Sequence, residues 1–297
     1  MKTSKVILLI LIGLTIFSSC KKDENTPGDP TKSITLNITG LEDLGADYVY
    51  EGWLIVNGAP VSTGTFTVDA AGMLSQTTFE LMASDIDNAT KFVLSIEPKN
   101  DSDPAPSATK MMAGDFSGTN ASLTIAPVGD FMNAAGKYIL ATPTDGSDSN
   151  ENSGIWFLDL ATGAPTVGLT LPVLPDGWRY EGWVVIGGQP VTSGTFTNVS
   201  ATDNADPYSG SMKLPDVNGM DGFFPGEDFL MNAPSGLTFP TDLAGGTAVI
   251  SIEPYPDNSS APFTLKPLVS AIPASAIDHT VYDMGQNLNF PTGTVTR

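Results

Sequence analysis

The chain has 297 residues, with 33 Asp and Glu against 13 Lys and Arg, for a formal net charge of −20 at pH 7. A surface this acidic repels phosphate backbones and anionic headgroups, which excludes nucleic acid as a partner and excludes electrostatic attachment to a membrane. Charged residues are still only 15% of the chain and hydrophobic ones 41%, the balance of a folded protein and not of a disordered acidic tail.

In chain order, Lys2 and Lys5 precede an apolar run over residues 6–17, followed by Ser18, Ser19 and Cys20. A spanning helix needs roughly 20 apolar residues, so the run suits the core of a secretory signal instead. Small residues placed directly before a lone cysteine resemble a bacterial lipoprotein signal, with Phe17 where that pattern prefers Leu. The resemblance implies that residues 1–19 are removed and that Cys20 becomes the acylated N-terminus, the chain's one point of contact with a membrane. Lys22, Asp23 and Glu24 then resemble the Lys-plus-acidic export tag of outer-membrane lipoproteins displayed on the cell surface, with a periplasm-facing location as the other reading. Losing the signal removes two lysines and leaves 11 basic and 33 acidic side chains. Cys20 is the only cysteine, so packing and not disulfides must hold the exported protein together.

Residues 20–31 are rich in Lys, Asp, Pro and Gly without apolar periodicity and are expected to form a tether. Ile34, Leu36 and Ile38 alternate with polar residues and predict a half-buried strand. Then comes the first landmark, YEGWLIVNGAPVSTGTFT at 50–67, which returns as YEGWVVIGGQPVTSGTFT at 180–197 with 11 of 18 positions identical. A second landmark, FVLSIEP at 92–98, returns as AVISIEP at 248–254. The order is the same, so one unit has been duplicated. Asn57 and Gly58 tolerate positive φ and predict a tight hairpin turn, as do Gly187 and Gly188. A helical turn is expected only near residues 81–87. Short strands separated by Gly, Pro, Asn and Asp predict an all-β chain of two tandem antiparallel β-sandwich, immunoglobulin-like domains. The boundaries read as 32–129 for the first repeat and 130–297 for a linking hairpin plus the second repeat. That hairpin joins KYILATP to GIWFLDL through a polar tip. The second copy carries about 26 extra residues between its landmarks, an irregular excursion over 202–234.

Tyr50, Trp53, Gly64, Thr65, Phe66, Glu97 and Pro98, and again Tyr180, Trp183, Gly194, Thr195, Phe196, Glu253 and Pro254, form a pattern that resembles the extracytoplasmic domain of the anti-sigma-K factor family. The resemblance covers most of each repeat and implies a fold, because its motifs are strands and turns and not chemistry. It does not carry the regulation over, since those factors act through a cytoplasmic N-terminal domain and a membrane helix that this sequence does not show. What it implies is an exported sensing or binding module. An envelope signalling component is one alternative.

The acids that recur on strands are Glu51, Glu97, Glu181 and Glu253. Paired carboxylates roughly 5 to 9.5 Å apart could hydrolyse a glycan; acceptors of internal hydrogen bonds are the simpler reading. Asp148, Asn150, Asn152 and Asp159 take four positions of a calcium-loop spacing, but Ser153 stands where the glycine belongs. Asp101 with Asp103, and Asp203 with Asp206, are partial sets of the same kind, and solvated turns account for all three. His279 is the only histidine, which leaves zinc or a catalytic triad without partners. No nucleotide, metal or other cofactor motif is present, and no enzyme activity is expected. Trp53 and Trp183 are expected core anchors. Trp156, Trp178, Tyr208, Phe223 and Phe224 lie near turns or in the unmatched segments. Of these, Trp178, Tyr208, Phe223 and Phe224 are the candidate binding rings, able to stack on a glycan or on a partner protein, with packing against their own sheet as the simpler account. Met220 and Met231 fit either. The excursion is therefore the expected working surface, removable without unfolding the rest.

Overall fold

The computed structural model describes residues 30–146, 149–212, 224–257 and 259–297. Among them the chain is nearly all β, with antiparallel pairing in every sheet and a single six-residue helix. No helix among the described residues is long and apolar enough to cross a membrane.

The first half supplies β1 (Thr31–Thr39), β2 (Tyr48–Val56), β3 (Ala59–Phe66), β4 (Thr78–Met82), α1 (Ala83–Asn88), β5 (Ala89–Pro98), β6 (Lys110–Ser117) and β7 (Asn120–Leu123). Alternation places Ile34, Leu36 and Ile38 of β1 inward, each at most 5% exposed. The turn between β2 and β3 has Asn57 at φ 52° and Gly58 at φ 83°, the left-handed pair that matches strand twist in a two-residue hairpin. The middle of the chain gives β8 (Ala135–Leu140), β9 (Gly154–Trp156), β10 (Leu158–Asp159), β11 (Thr166–Val167) and β12 (Leu169–Thr170). Here β8 and β9 pair antiparallel, Ile139 with Trp156 and Leu140 with Ile155, which is the hairpin expected from the sequence. The second half gives β13 (Trp178–Ile186), β14 (Gln189–Phe196), β15 (Gly226–Asp228), β16 (Thr247–Pro254), β17 (Leu268–Ala271), β18 (Tyr282–Met284) and β19 (Thr292–Thr296).

The duplication is visible in the hydrogen-bond register. Four strands run β3-β2-β5-β6 in the first copy and β14-β13-β16-β17 in the second. Tyr50, Glu51 and Gly52 oppose Phe66, Thr65 and Gly64, and Tyr180, Glu181 and Gly182 oppose Phe196, Thr195 and Gly194. Both hairpins then shift register between the Gly and the Trp. A β-bulge re-aims the strand there, with Gly64 and Gly194 at φ 106° and 105° opposite it.

The two copies are not closed off from each other. β19, which the sequence groups with the second repeat, is hydrogen-bonded between β1 and β7 in the first repeat's sheet. Val295 is fully buried there, and the Arg297 guanidinium donates to the Ile86, Ala89 and Gly118 carbonyls. One continuous hydrophobic cluster takes in Ile96 and Met111 of the first half and Trp178, Phe263 and Leu265 of the second. The strand β18 and the hairpin β8–β9, with β12 and β15, build the sheet that accompanies the second four-strand unit.

Candidate functional site

Pairing fixes which recurring residues can meet. Glu51 and Trp53 lie two apart on β2 and so share a face, as do Ser95 and Glu97 on β5. Glu51 opposes Ser95, which puts all four on one side. The Trp53 indole Nε1 donates to Ser95 Oγ at 2.8 Å, and Ser95 Oγ donates to Glu97. The Ser107 backbone N–H also bonds Glu97, at 2.9 Å. The second copy repeats each bond: Trp183 to Ser251 at 2.8 Å, Ser251 to Glu253, and the Phe263 N–H to Glu253 at 2.9 Å. Ser62 donates to Glu51 as Thr192 donates to Glu181. The Tyr50 hydroxyl reaches the carbonyl eight residues upstream, at Glu42, and Tyr180 does the same at Pro172. The landmark that reads so strongly in the sequence is an internal polar lattice. Its Glu97 and Glu253 are 1% exposed and its Trp53 and Trp183 at most 3%. Burial raises Glu181 to about 7 and Glu253 to about 8, against the hydroxyl donors that lower both.

The rings expected to bind a ligand face inward. Trp178 is 3% exposed and packs on Phe263 at 6.2 Å between ring centroids. Phe224 is 5% exposed and sits with Trp156 and Ile139 in a small second core. Tyr208 packs between Phe229 and Phe239. A large apolar ring next to a turn is still drawn into whatever core the distant strands create, so Trp178 and Phe224 offer no stacking surface, while Tyr208 stays partly exposed. Met231 is 43% exposed. Cys20, Lys22, Asp23, Glu24, Asp148, Met220 and Phe223 lie outside the described residues.

The excursion over 202–234 is likewise not a detachable surface. Its strand β15 pairs with β9, and Glu227, Asp228 and Phe229 are fully buried. Asp228 accepts from Thr144 N–H at 2.7 Å and Trp156 Nε1 at 2.8 Å, and Glu227 accepts from Ser209. Burial lifts Asp228 to about 6, Asp203 to about 7 and Glu227 to about 8. Deleting this segment would remove core atoms of the second repeat, so the expectation that the rest would stay folded does not hold.

The remaining acids are dispersed. Asp159 pairs with Lys137 at 2.6 Å, and Asp101 and Asp103 accept backbone N–H bonds within their own turn. Asp203 accepts from Gly226 N–H at 2.9 Å. Among the described residues no group of three or more His, Cys, Asp or Glu side chains is disposed to hold a metal. His279 is exposed, beside Asp278.

What the sequence did not single out is a cavity of about 520 Å³ at the junction of the two copies. The first copy lines it from the β1–β2 loop, with Glu42, Asp43 and Leu44, and from Tyr48, Ile96 and Pro98. The second copy contributes Pro254, Tyr255, Pro256, Asp257 and Phe263. The two Glu-Pro landmarks therefore both end at one hollow. The walls are braced by close backbone approach: a Cβ on Gly177 would stand 2.8 Å from the Ala108 carbonyl carbon. The Tyr255 N–H donates to Gly177 O at 2.8 Å, and the Thr264 hydroxyl to Gly40 O at 3.0 Å. Burial raises Glu42 to about 7, although Lys266 and the Thr264 N–H pull it down. Loop residues without a repeat or a motif form most of this hollow, so only Ile96, Pro98 and Pro254, from the second landmark, carried any signal in the sequence.

Residues 29–110 match the family model described as Anti-sigma-K factor rskA, C-terminal. The matched span runs from before β1 to the first residue of β6, so it covers the first copy and not the second. No curated protein and no solved structure matches the chain.

Proposed function

We propose that this protein is an exported, lipid-anchored, non-catalytic binding or sensing module built from duplicated anti-sigma-factor-like extracytoplasmic domains, and that its ligand enters the cavity between the copies. The observation that carries this reading is where the recurring chemistry goes. The duplicated acids and rings are consumed by internal hydrogen bonds, while a hollow of small-ligand size stands where the copies meet. The signal-like N-terminus with Cys20 supports anchoring in the outer membrane with the module on the cell surface or facing the periplasm. The family match favours an envelope signalling role as the alternative. A glycan-directed hydrolase is the weaker alternative, because Glu181 and Glu253 already accept bonds from Thr192 and Ser251.

Two measurements test the proposal. Labelling with an alkyne-tagged fatty acid should mark the wild-type chain and not Cys20→Ser, which should move to the soluble fraction. Ligand-observed NMR against a fragment set should give hits that Ala46→Trp, on the cavity wall, abolishes, while Val173→Trp, on a 90% exposed residue elsewhere, leaves them. Hits indifferent to Ala46→Trp would refute the cavity as the site.

A further inference from the structure

The cavity has a chemical character that the duplication does not explain. Glu42 accepts the Tyr50 hydroxyl at its carbonyl, and its counterpart in the second copy is Pro172. This half-buried acid therefore belongs to one copy alone. Glu42, Asp43 and Asp257 line the hollow, and the described lining contains no Lys, Arg or His. Lys266 approaches Glu42 from the second copy but does not line the cavity. Low-dielectric walls carrying charge of one sign focus the field into the space they enclose, and the net charge of −20 adds to it. One tyrosine completes the picture. Tyr255 is 52% exposed on the cavity wall, and its ring already holds the Arg179 guanidinium at 3.7 Å from the centroid. That contact demonstrates the ring's use as a partner for positive charge.

From this charge complementarity we propose that the junction cavity binds a small organic cation, an ammonium or guanidinium group carried on an apolar body. The inference rests on the reading of the cavity as the binding site. An anion would meet three carboxyls and no basic wall residue. A neutral sugar would find acceptors in excess, with side-chain donors confined to Ser, Thr and Tyr hydroxyls. A cation supplies countercharge to the acidic lining, while its apolar body lies against Tyr48, Tyr255 and Pro254. The volume of about 520 Å³ suits a single small molecule. Burial holds the Glu42 proton up to about 7 despite Lys266, so a bound cation would also favour its ionised form.

The experiment is calorimetry on the full chain with 2-phenylethylamine and benzamidine, against 2-phenylethanol and phenylacetate as neutral and anionic counterparts. Both cations should bind in the millimolar range or tighter, with the alcohol at least about 10-fold weaker and the acid silent. Glu42→Gln should weaken the cations by about 10-fold and leave the alcohol unchanged. Tyr255→Leu, which keeps bulk but removes the ring, should weaken them too. Thermal unfolding and tryptophan emission confirm that each variant is folded. Equal binding of amine and alcohol, unchanged cation affinity in Glu42→Gln, or no cation binding up to about 10 mM would each overturn the proposal. Binding of cellobiose that Ala46→Trp abolishes, without cation binding, would sink the cation while sparing the cavity. Cation binding that Ala46→Trp does not touch would sink both.

Discussion

Replacing Ser251 by Ala removes one oxygen from a fully buried position and strips two partners at once. Trp183 Nε1 loses its acceptor at 2.8 Å, and Glu253 loses its hydroxyl donor but keeps the Phe263 N–H. A buried polar group left without its partner costs about 1–3 kcal/mol. The indole N–H is stranded completely and the carboxyl only in part, so the sum should fall at about 2–4 kcal/mol. For a large domain each kcal/mol moves the melting temperature by about 2–4 °C, which predicts a fall of roughly 4–16 °C. The first copy supplies the control, since Ser95→Ala strips Trp53 and Glu97 in the same way. The two variants should be destabilised within about 1 kcal/mol of each other in urea titrations. In a double-mutant cycle, adding Trp183→Phe to Ser251→Ala should cost clearly less than the sum of the single changes. If both serine variants lose less than about 0.5 kcal/mol, the lattice does not hold the repeat, and the reasoning that assigns these residues to architecture fails.

Stability should also fall as pH rises from about 5 to about 8. Burial raises Glu227 and Glu253 to about 8, above their ordinary 4.5, so each holds its proton more tightly folded than unfolded. That contribution is whole below about 4.5 and is lost as pH climbs through about 8; it amounts to several kcal/mol at most, at about 1.4 kcal/mol per unit. Urea titrations across that range should show the slope and Glu227→Gln should flatten it, whereas stability that rises with pH would contradict it. Truncation after residue 290 should bare the β1 and β7 edges that β19 covers and drive association, read by light scattering. Arg297→Ala alone should cost about 1–3 kcal/mol, through the lost bonds to three carbonyls; a monomeric truncated chain of unchanged melting temperature would argue against both. Gly177→Ala should loosen the junction, because its φ of 89° and the 2.8 Å approach to Ala108 admit no side chain. A crystal structure showing the cavity walls unmoved would disprove that role.

Much of the fold was legible because its signals are local. The alternation of Ile34, Leu36 and Ile38 and the Asn57–Gly58 turn each depend on a few neighbouring residues, and both appear in place. The hairpin that became β8 and β9 was readable for the same reason. The repeated landmark reported shared architecture faithfully, down to its hydrogen bonds. Trp178 and Phe224 were expected at the surface and are buried, because proximity to a turn says nothing about which remote strand covers a side chain. Trp178 is covered by Phe263 and Phe224 by the strand that carries Trp156, partners 85 and 68 positions distant in the sequence. Glu42 drew no attention because, in a loop of Gly, Leu and Asp, nothing marks an acid that lines a cavity.

The sequence by itself determined the antiparallel β class, the duplication and the residues that build each copy's polar lattice, since these follow from period-two alternation, turn chemistry and a strict internal repeat. Tertiary structure alone decided that the last strand closes the first sheet, that β15 within the excursion is core, and that loops from both copies enclose an acidic, aromatic hollow. Those outcomes depend on contacts between segments far apart along the chain. No local pattern encodes them, because what selects such contacts is the burial of whole faces against one another.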